Sequence, residues 1–198
     1  MFKKDLDFDI IHIGEVDDSA VKNELLKILK ENEEMSINND RHNFRSHSKT
    51  RTHLIYAFPL EWDGVSELDA ELFTDDKAII DAVEPLVRML EERYNGKRGR
   101  VLIINLPSGK DIPEHTDSGP YLQIVHRTHI PIITNDQVVF GVGETEMNMK
   151  EGNCYEINNH KIHYVYNNGE SDRYHLLIDI IPFKKPTHLV IPFPDNIN

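Results

Sequence analysis

The chain has 198 residues, of which 39% are apolar and 28% charged, enough for one soluble domain with a sizeable core. A net charge of −12 sets it against phosphate backbones and anionic lipid surfaces, so neither nucleic acid nor membrane is expected as a partner. No apolar run approaches the length of a membrane span, and acids interrupt the opening MFKKDLDFDIIHIGEVDD before a signal-peptide core can form. The single cysteine, Cys154, excludes an internal disulfide framework and suits a reducing cytosol. A cytoplasmic protein is therefore expected, with Cys154 as a small buried hydrophobe. Nothing in the composition marks an oligomeric state.

The first periodic stretch is residues 19–34. It places Val21, Leu25, Ile28 and Leu29 on one helical face, with Ser19 as N-cap. RTHLIYAFPL, from Arg51, reads as a strand. Residues 75–94 repeat the helical pattern with Ile79, Val83, Leu86 and Leu90, and Pro85 is expected to kink or divide that helix. After residue 99 the helical period ends. RVLIINLP, YLQIVHRTHIPII, QVVFGVG, NCYEIN, HYVYNN, RYHLLIDIIPF and HLVIPF are short apolar or β-branched runs, separated by Gly, Asn, Asp and Pro clusters. Many short strands with turn signals imply a sandwich or barrel. The expectation is one domain, 1–198: a helical and strand support region over 1–99, and a jelly-roll core over 100–198. The fold class is α+β, mainly β, with the N-terminal helices packed on one face.

The chemistry-bearing motif is DIPEHTDSG at residues 111–119. Strand side chains alternate faces, so His115 and Asp117, two apart, aim at one point. A third ligand has to come from downstream, where His126, His129, His160, His163, His175 and His188 are the candidates. His163 is followed ten residues later by Arg173, on the next apparent strand. Two imidazoles and a carboxylate occupy one face of an octahedral ion and leave three positions open. That suits non-haem Fe(II), which must bind oxygen and a chelating cosubstrate together. An arginine fork one strand away can grip a carboxylate in two parallel hydrogen bonds. In HRTHIPI, Arg127 and His129 share a face and point inward by the same alternation. An inward basic pair needs an acidic partner, which an acidic cosubstrate would supply.

The run IPEHTDSGP…HRTHIPIITNDQVVFGVG…MKEGNCYEINNHKIHYVYNNGESDRYHLLIDIIP resembles the aspartyl/asparaginyl β-hydroxylase family over about residues 100 to 182. The resemblance implies a double-stranded β-helix (jelly-roll, cupin-like) core and an oxygenase using Fe(II), 2-oxoglutarate and O2. It implies His115, Asp117 and His163 as metal ligands, and Arg173 as the grip on the far carboxylate of 2-oxoglutarate. Arg127 and His129 match residues near the keto-acid end of the cosubstrate, and Asn167 a structural asparagine. Animal peptide hydroxylases of the family lack the carboxylate ligand, a position filled here by Asp117. In this, and in lacking their helical-repeat domain and membrane anchor, the chain is more similar to small bacterial members, some of which hydroxylate free amino acids such as proline. Hydroxylation of a C–H bond on a small polar substrate, an amino acid or short peptide, is therefore expected. Tyr164, after the distal histidine, is expected to narrow the pocket.

Two other classes fit less of the pattern. A cupin-like metalloenzyme that does not use 2-oxoglutarate leaves Arg173 and Arg127 unexplained. A non-catalytic binding module would be marked by a lost ligand, and none is lost. His160 rivals His163 but stands at an odd offset from it, on the opposite strand face. His126 lies opposite Arg127 and reads as an ordinary polar residue; His175 shares the face of Arg173. In RHNFRSHSKTRTHL, Arg41, Arg45 or Arg51 borders the barrel mouth by the family's architecture, beside His42, His47 and His53, and either meets substrate or forms a solvated basic loop.

Overall fold

A computed structural model describes residues 6–30, 47–62 and 67–183. Arg41, His42, Arg45 and the expected strand at HLVIPF, with His188, lie outside the described residues. The elements in chain order are β1 (Ile10–Glu15), α1 (Ser19–Lys30), β2 (Arg51–Ala57), β3 (Glu71–Leu72), α2 (Lys77–Tyr94), β4 (Gly96–Leu106), β5 (Asp111–His115), β6 (His126–Ile133), β7 (Val138–Val142), β8 (Thr145–Met147), β9 (Asn153–Ile157), β10 (His163–Asn167) and β11 (Arg173–Pro182). A single 3-10 turn occupies Tyr121–Gln123. YLQIVHRTHIPII is thus a turn followed by a strand, not one strand.

Two antiparallel sheets face each other as a jelly roll, the expected fold. The larger runs β1-β9-β6-β11-β4-β2-β3 and the smaller β5-β10-β7-β8. Strands β1, β2 and β3, from the N-terminal half, are therefore part of the larger sheet. β11 is its middle strand and is buried on both faces. Tyr174, Leu176, Ile178 and Ile180 turn outward to the helices, while Leu177 joins Leu54, Leu102 and Ile104 on the other side. A strand buried on both faces reads as a near-continuous apolar run, which RYHLLIDIIPF does. Strand β10 of the smaller sheet shows clean alternation. His163, Val165 and Asn167 are buried, while Tyr164 and Tyr166 face out.

Helix α2 starts at an N-cap, Asp76, whose Oδ1 accepts from the backbone N–H of Ala78 (3.0 Å) and Ile79 (3.3 Å). It ends at Asn95, which takes the left-handed conformation (φ 44°). Pro85 sits inside it without dividing it; Ile79, Ala82 and Val83 before it and Leu86, Val87 and Leu90 after it are all buried on one side. Helix α1 begins at Ser19 itself, with Asp17 Oδ1 accepting the Ser19 N–H (3.1 Å), so Ser19 is not the cap. Val21 and Leu25 of α1 pack with α2 on Val101, Ile103, Ile130 and Ile178 of the larger sheet. Arg98 of β4 ties α2 down. It donates to Glu84 (2.7 and 3.0 Å) and Glu91 (2.9 and 3.0 Å), and the Arg98 guanidinium holds the Glu84 carboxyl at about 2. Cys154 is fully buried, and burial pushes its thiol up to about 12, as suits a packing residue. Among the described residues no helix is long and apolar enough to cross a membrane.

Because the helices cover the larger sheet through a few large aliphatic side chains, Leu90→Ala should destabilise the protein by about 2–5 kcal/mol. The check is a urea unfolding curve with a lower midpoint and an unchanged slope.

Candidate active site

β5 and β10 are neighbours in the smaller sheet, and His115 and His163 are register partners across them. Their ring centroids are 4.2 Å apart. Each ring is fixed by the carbonyl two residues earlier in the chain: His115 Nδ1 bonds that of Pro113 (2.8 Å), and His163 Nδ1 that of Lys161 (2.9 Å). A carbonyl only accepts, so both Nδ1 atoms carry a proton, and Nε2 is the nitrogen of each ring left to ligate. Burial pushes the His163 pKa down, and nearby His115 adds to this against the pull of Asp117, so the ring is held neutral.

Asp117 lies two residues past the end of β5, so strand alternation alone does not aim it. Its backbone N–H donates to Asn159 O (3.1 Å), and Asn159 Nδ2 donates to Leu122 O (2.8 Å), which fastens this loop to the β9–β10 turn. The Asp117 carboxylate then meets the two imidazoles, with ligand atoms of all three residues within 4.8 Å of one another. His163 Nε2 is 3.9 Å from Asp117 Oδ2. Two imidazole Nε2 atoms and one carboxylate, each side chain held from behind, form a donor set suited to a divalent transition metal.

Two hollows meet at this cluster. A recess of about 30 Å³ runs between the sheets past His129, Phe140 and Val165 to Arg173. A cleft of about 450 Å³ opens outward past Thr116, Ser118, Arg100 and Glu61. His47, His115, Arg127 and Leu177 border both. Arg173 is only 1% exposed. Its Nη2 donates to His175 Nδ1 (2.6 Å), and its guanidinium lies 5.6 Å from the Phe140 ring centroid. His129 points inward as expected, 5.1 Å from the ring of Phe140 and 5.9 Å from that of His175.

Arg127 also points inward, but its acidic partners belong to the protein. Nε and Nη2 donate to Asp179 Oδ1 and Oδ2 (2.9 and 2.8 Å), and Nη1 donates to Asp117 Oδ2. Burial works against its charge, yet Asp117 and Asp179 together raise its pKa above the ordinary arginine value. Asp179 escaped the sequence reading although it left a signal. A lone acid inside LLIDII, on the alternation face of Arg173, has to be paired if the strand is buried. Arg100 was equally legible, since it shares a strand face with Leu102 and Ile104. Tyr121, whose hydroxyl donates to Asp179 Oδ2 (2.9 Å), left none.

Other candidates fall outside the cluster. His160 Nε2 bonds Leu122 O (3.3 Å). His126 faces the helices, bonded to Glu156 (2.8 Å) and stacked on Tyr94. Arg51 is exposed at the start of β2. Tyr164 does not narrow the pocket: it lies on the outer face, its ring where a Cβ of the register partner Gly141 would stand, with its hydroxyl on Glu146. Asn167 is structural, as expected, donating to Leu106 O and Ser171 O (both 3.0 Å).

Burial, then Arg173 and His129, push the pKa of His175 well below that of an ordinary histidine. A histidine depressed in the fold contributes stability above its unfolded value, about 6.5, and loses it as pH falls towards the folded value. The metal-free protein should therefore lose unfolding free energy between about pH 7 and pH 5, and His175→Gln should flatten that decline. Equal slopes in the two proteins would refute the assignment.

Residues 15–182 match the family model described as aspartyl/asparaginyl beta-hydroxylase. No curated protein matches the sequence. Among solved structures, the fold is similar to the viral collagen prolyl hydroxylase vCPH of Paramecium Bursaria Chlorella virus-1, determined as its 2OG complex. That likeness has a TM-score of 0.56 at 9% identity over 90% of this chain and 98% of the other. An oxidoreductase of the 2OG-Fe(II) oxygenase family from Burkholderia pseudomallei matches with a TM-score of 0.52 at 11% identity, over 68% of this chain and 69% of that one. Against AerE from Microcystis aeruginosa, 17% identical with a TM-score of 0.34, 41% of this chain matches about a third (35%) of that one.

Proposed function

Because the chain belongs to the aspartyl/asparaginyl β-hydroxylase family, we propose that it is an Fe(II)- and 2-oxoglutarate-dependent dioxygenase that hydroxylates a C–H bond of a small polar substrate, an amino acid or short peptide. The observation that carries this reading is the facing pair of carbonyl-held imidazoles with Asp117 beside them, at the junction of a recess ending in the buried Arg173 and an open cleft.

His115, Asp117 and His163 would hold the iron. Bound there with 2-oxoglutarate, the iron supplies oxygen activation, with the cosubstrate split to succinate and CO2 and one oxygen atom delivered to the substrate. Arg173 is the grip for the far carboxylate, its charge kept from water by Phe140 and the two sheets. His129 and Arg127 flank the path from Arg173 to the ligands and would border the keto-acid end. Phe140, His129 and Arg173 line the same recess, so a cosubstrate reaching Arg173 would lie against both rings. With three of its N–H groups on Asp117 and Asp179, Arg127 is a poor anchor for a substrate carboxylate. Arg100, which lines the cleft, suits that carboxylate better, and Glu61, in the same lining, suits an ammonium group. Asp117 also favours hydroxylation over halogenation, since the third protein ligand is in place and leaves no vacated position for halide.

The deciding experiment is a titration of the anaerobic Fe(II) protein with 2-oxoglutarate, followed by the charge-transfer absorption of the chelate. Absence of that absorption would sink the proposal. His115→Ala or His163→Ala should abolish turnover. Arg173→Ala, losing a buried charge-assisted contact of about 2–5 kcal/mol, should raise the 2-oxoglutarate requirement at least about tenfold while iron binding survives. Arg173→Lys should rescue only part, because lysine offers a point charge and not a fork.

Amino-acid mixtures in chloride buffer should then stimulate succinate release and yield a product heavier by one oxygen atom. A chlorinated product, or stimulation by nucleic acid or lipid alone, would contradict the reading.

A further inference from the structure

Asp179 is fully buried and stands opposite Arg127 in the β6–β11 ladder, so the two side chains meet as a cross-strand pair on the inner face. The contact is side-on and two-pronged, Nε to Oδ1 and Nη2 to Oδ2, which fixes the plane of the guanidinium and leaves Nη1 directed at Asp117. Behind Asp179 stands Tyr121, itself fully buried. Its hydroxyl donates to Asp179 Oδ2 (2.9 Å) and accepts the backbone N–H of Arg100 (2.8 Å). The hydroxyl fits because residue 99 is glycine; a Cβ there would overlap it. Phe58 stacks on the Tyr121 ring, with centroids 4.9 Å apart. The chain Gly99–Tyr121–Asp179–Arg127–Asp117 is thus anchored at every link.

We infer that Asp179, backed by Tyr121, is a positioning residue for the metal site: it aims Arg127 at Asp117 while cancelling its charge, so that the Asp117 carboxylate stays available to a cation. The inference rests on the reading of His115, Asp117 and His163 as metal ligands. Its logic is electrostatic. An arginine facing a lone carboxylate in a buried site forms an ion pair that competes with any metal for that carboxylate. With a second carboxylate on the other edge of the guanidinium, the cluster of Asp117, Arg127 and Asp179 carries one net negative charge. Arg127 then orients Asp117 through Nη1 while its charge is shared between two carboxylates. Residues behind a metal ligand commonly change metal affinity 10- to 100-fold when altered.

The test is a titration with Co(II) alone, read by its d–d absorption, together with thermal unfolding of each protein. It needs neither cosubstrate nor turnover. Asp179→Asn keeps the shape but removes the charge and places an amide N–H against the guanidinium. It should weaken Co(II) binding about tenfold or more and shift the absorption band. Replacing Arg127 as well, in Arg127→Leu/Asp179→Asn, removes the competing cation and should bind Co(II) more tightly than Asp179→Asn alone. Tyr121→Phe, which removes one support of Asp179 and little volume, should give a smaller loss in the same direction. Unchanged Co(II) affinity in Asp179→Asn, or a double variant no better than the single, would overturn the inference. Should Asp179→Asn fail to fold, an unaltered affinity and band in Tyr121→Phe would overturn it. A parent protein that binds no Co(II) would remove the metal reading and this inference together. One that binds Co(II) but shows no charge-transfer band with Fe(II) and 2-oxoglutarate would remove only the oxygenase reading.

Discussion

Strand β11 has to satisfy two environments at once, and the rest of the molecule is arranged around that constraint. Its outward residues form the floor on which α1 and α2 pack, and its inward residues carry Arg173, His175, Leu177 and Asp179. Slippage by one residue would place Arg173, His175 and Asp179 under the helices and the aliphatic set inside the site. The helices therefore do more than cover apolar surface. By fixing which face of β11 is outward, they fix which groups face the ligands.

At the centre of the inner face the buried charges balance: Arg127 and Arg173 stand against Asp117 and Asp179, while Arg100, on the same face, lines the outer cleft. Isolated charges there would be costly, whereas paired and hydrogen-bonded ones are tolerable. Iron with a dianionic cosubstrate would add two positive and two negative charges and so would leave that balance unchanged. The two arginines are not equivalent, however. Arg127 is held by carboxylates of the chain itself, while Arg173 is bonded to a histidine that burial keeps neutral.

Much of this was legible in the residues. Period changes separated the helices from the β-rich half, and alternation placed Arg127, His129, His163 and Arg173 inward. The same rule put Tyr164 outward, against the expectation that it crowds the pocket. Asp117 reached the site for another reason than the one that suggested it: the strand ends at His115, and the loop is aimed by its bond to Asn159. Strand β1 was not legible, because DIIHIGE acquires its identity from β9, more than a hundred residues later in the chain. Tyr121 was hidden for the same kind of reason. Its role depends on groups at residues 99, 100 and 179, which only the tertiary fold assembles. Of the kink or division expected at Pro85, division does not occur: burial on both sides of it carries α2 through.

Strand β5 lies at the edge of the smaller sheet, with β10 as its ladder partner, and it carries His115 and leads directly into Asp117. Edge strands are among the first parts of a sheet to open locally, without loss of the core. Such a fluctuation would carry His115 and Asp117 away from His163. An ion held by all three would act as a staple between β5 and β10, closing the edge of the sheet as well as serving the chemistry. Amide exchange along β5 would then be slower in the loaded protein than in the empty one, while the helix-covered centre of the larger sheet stays as it was.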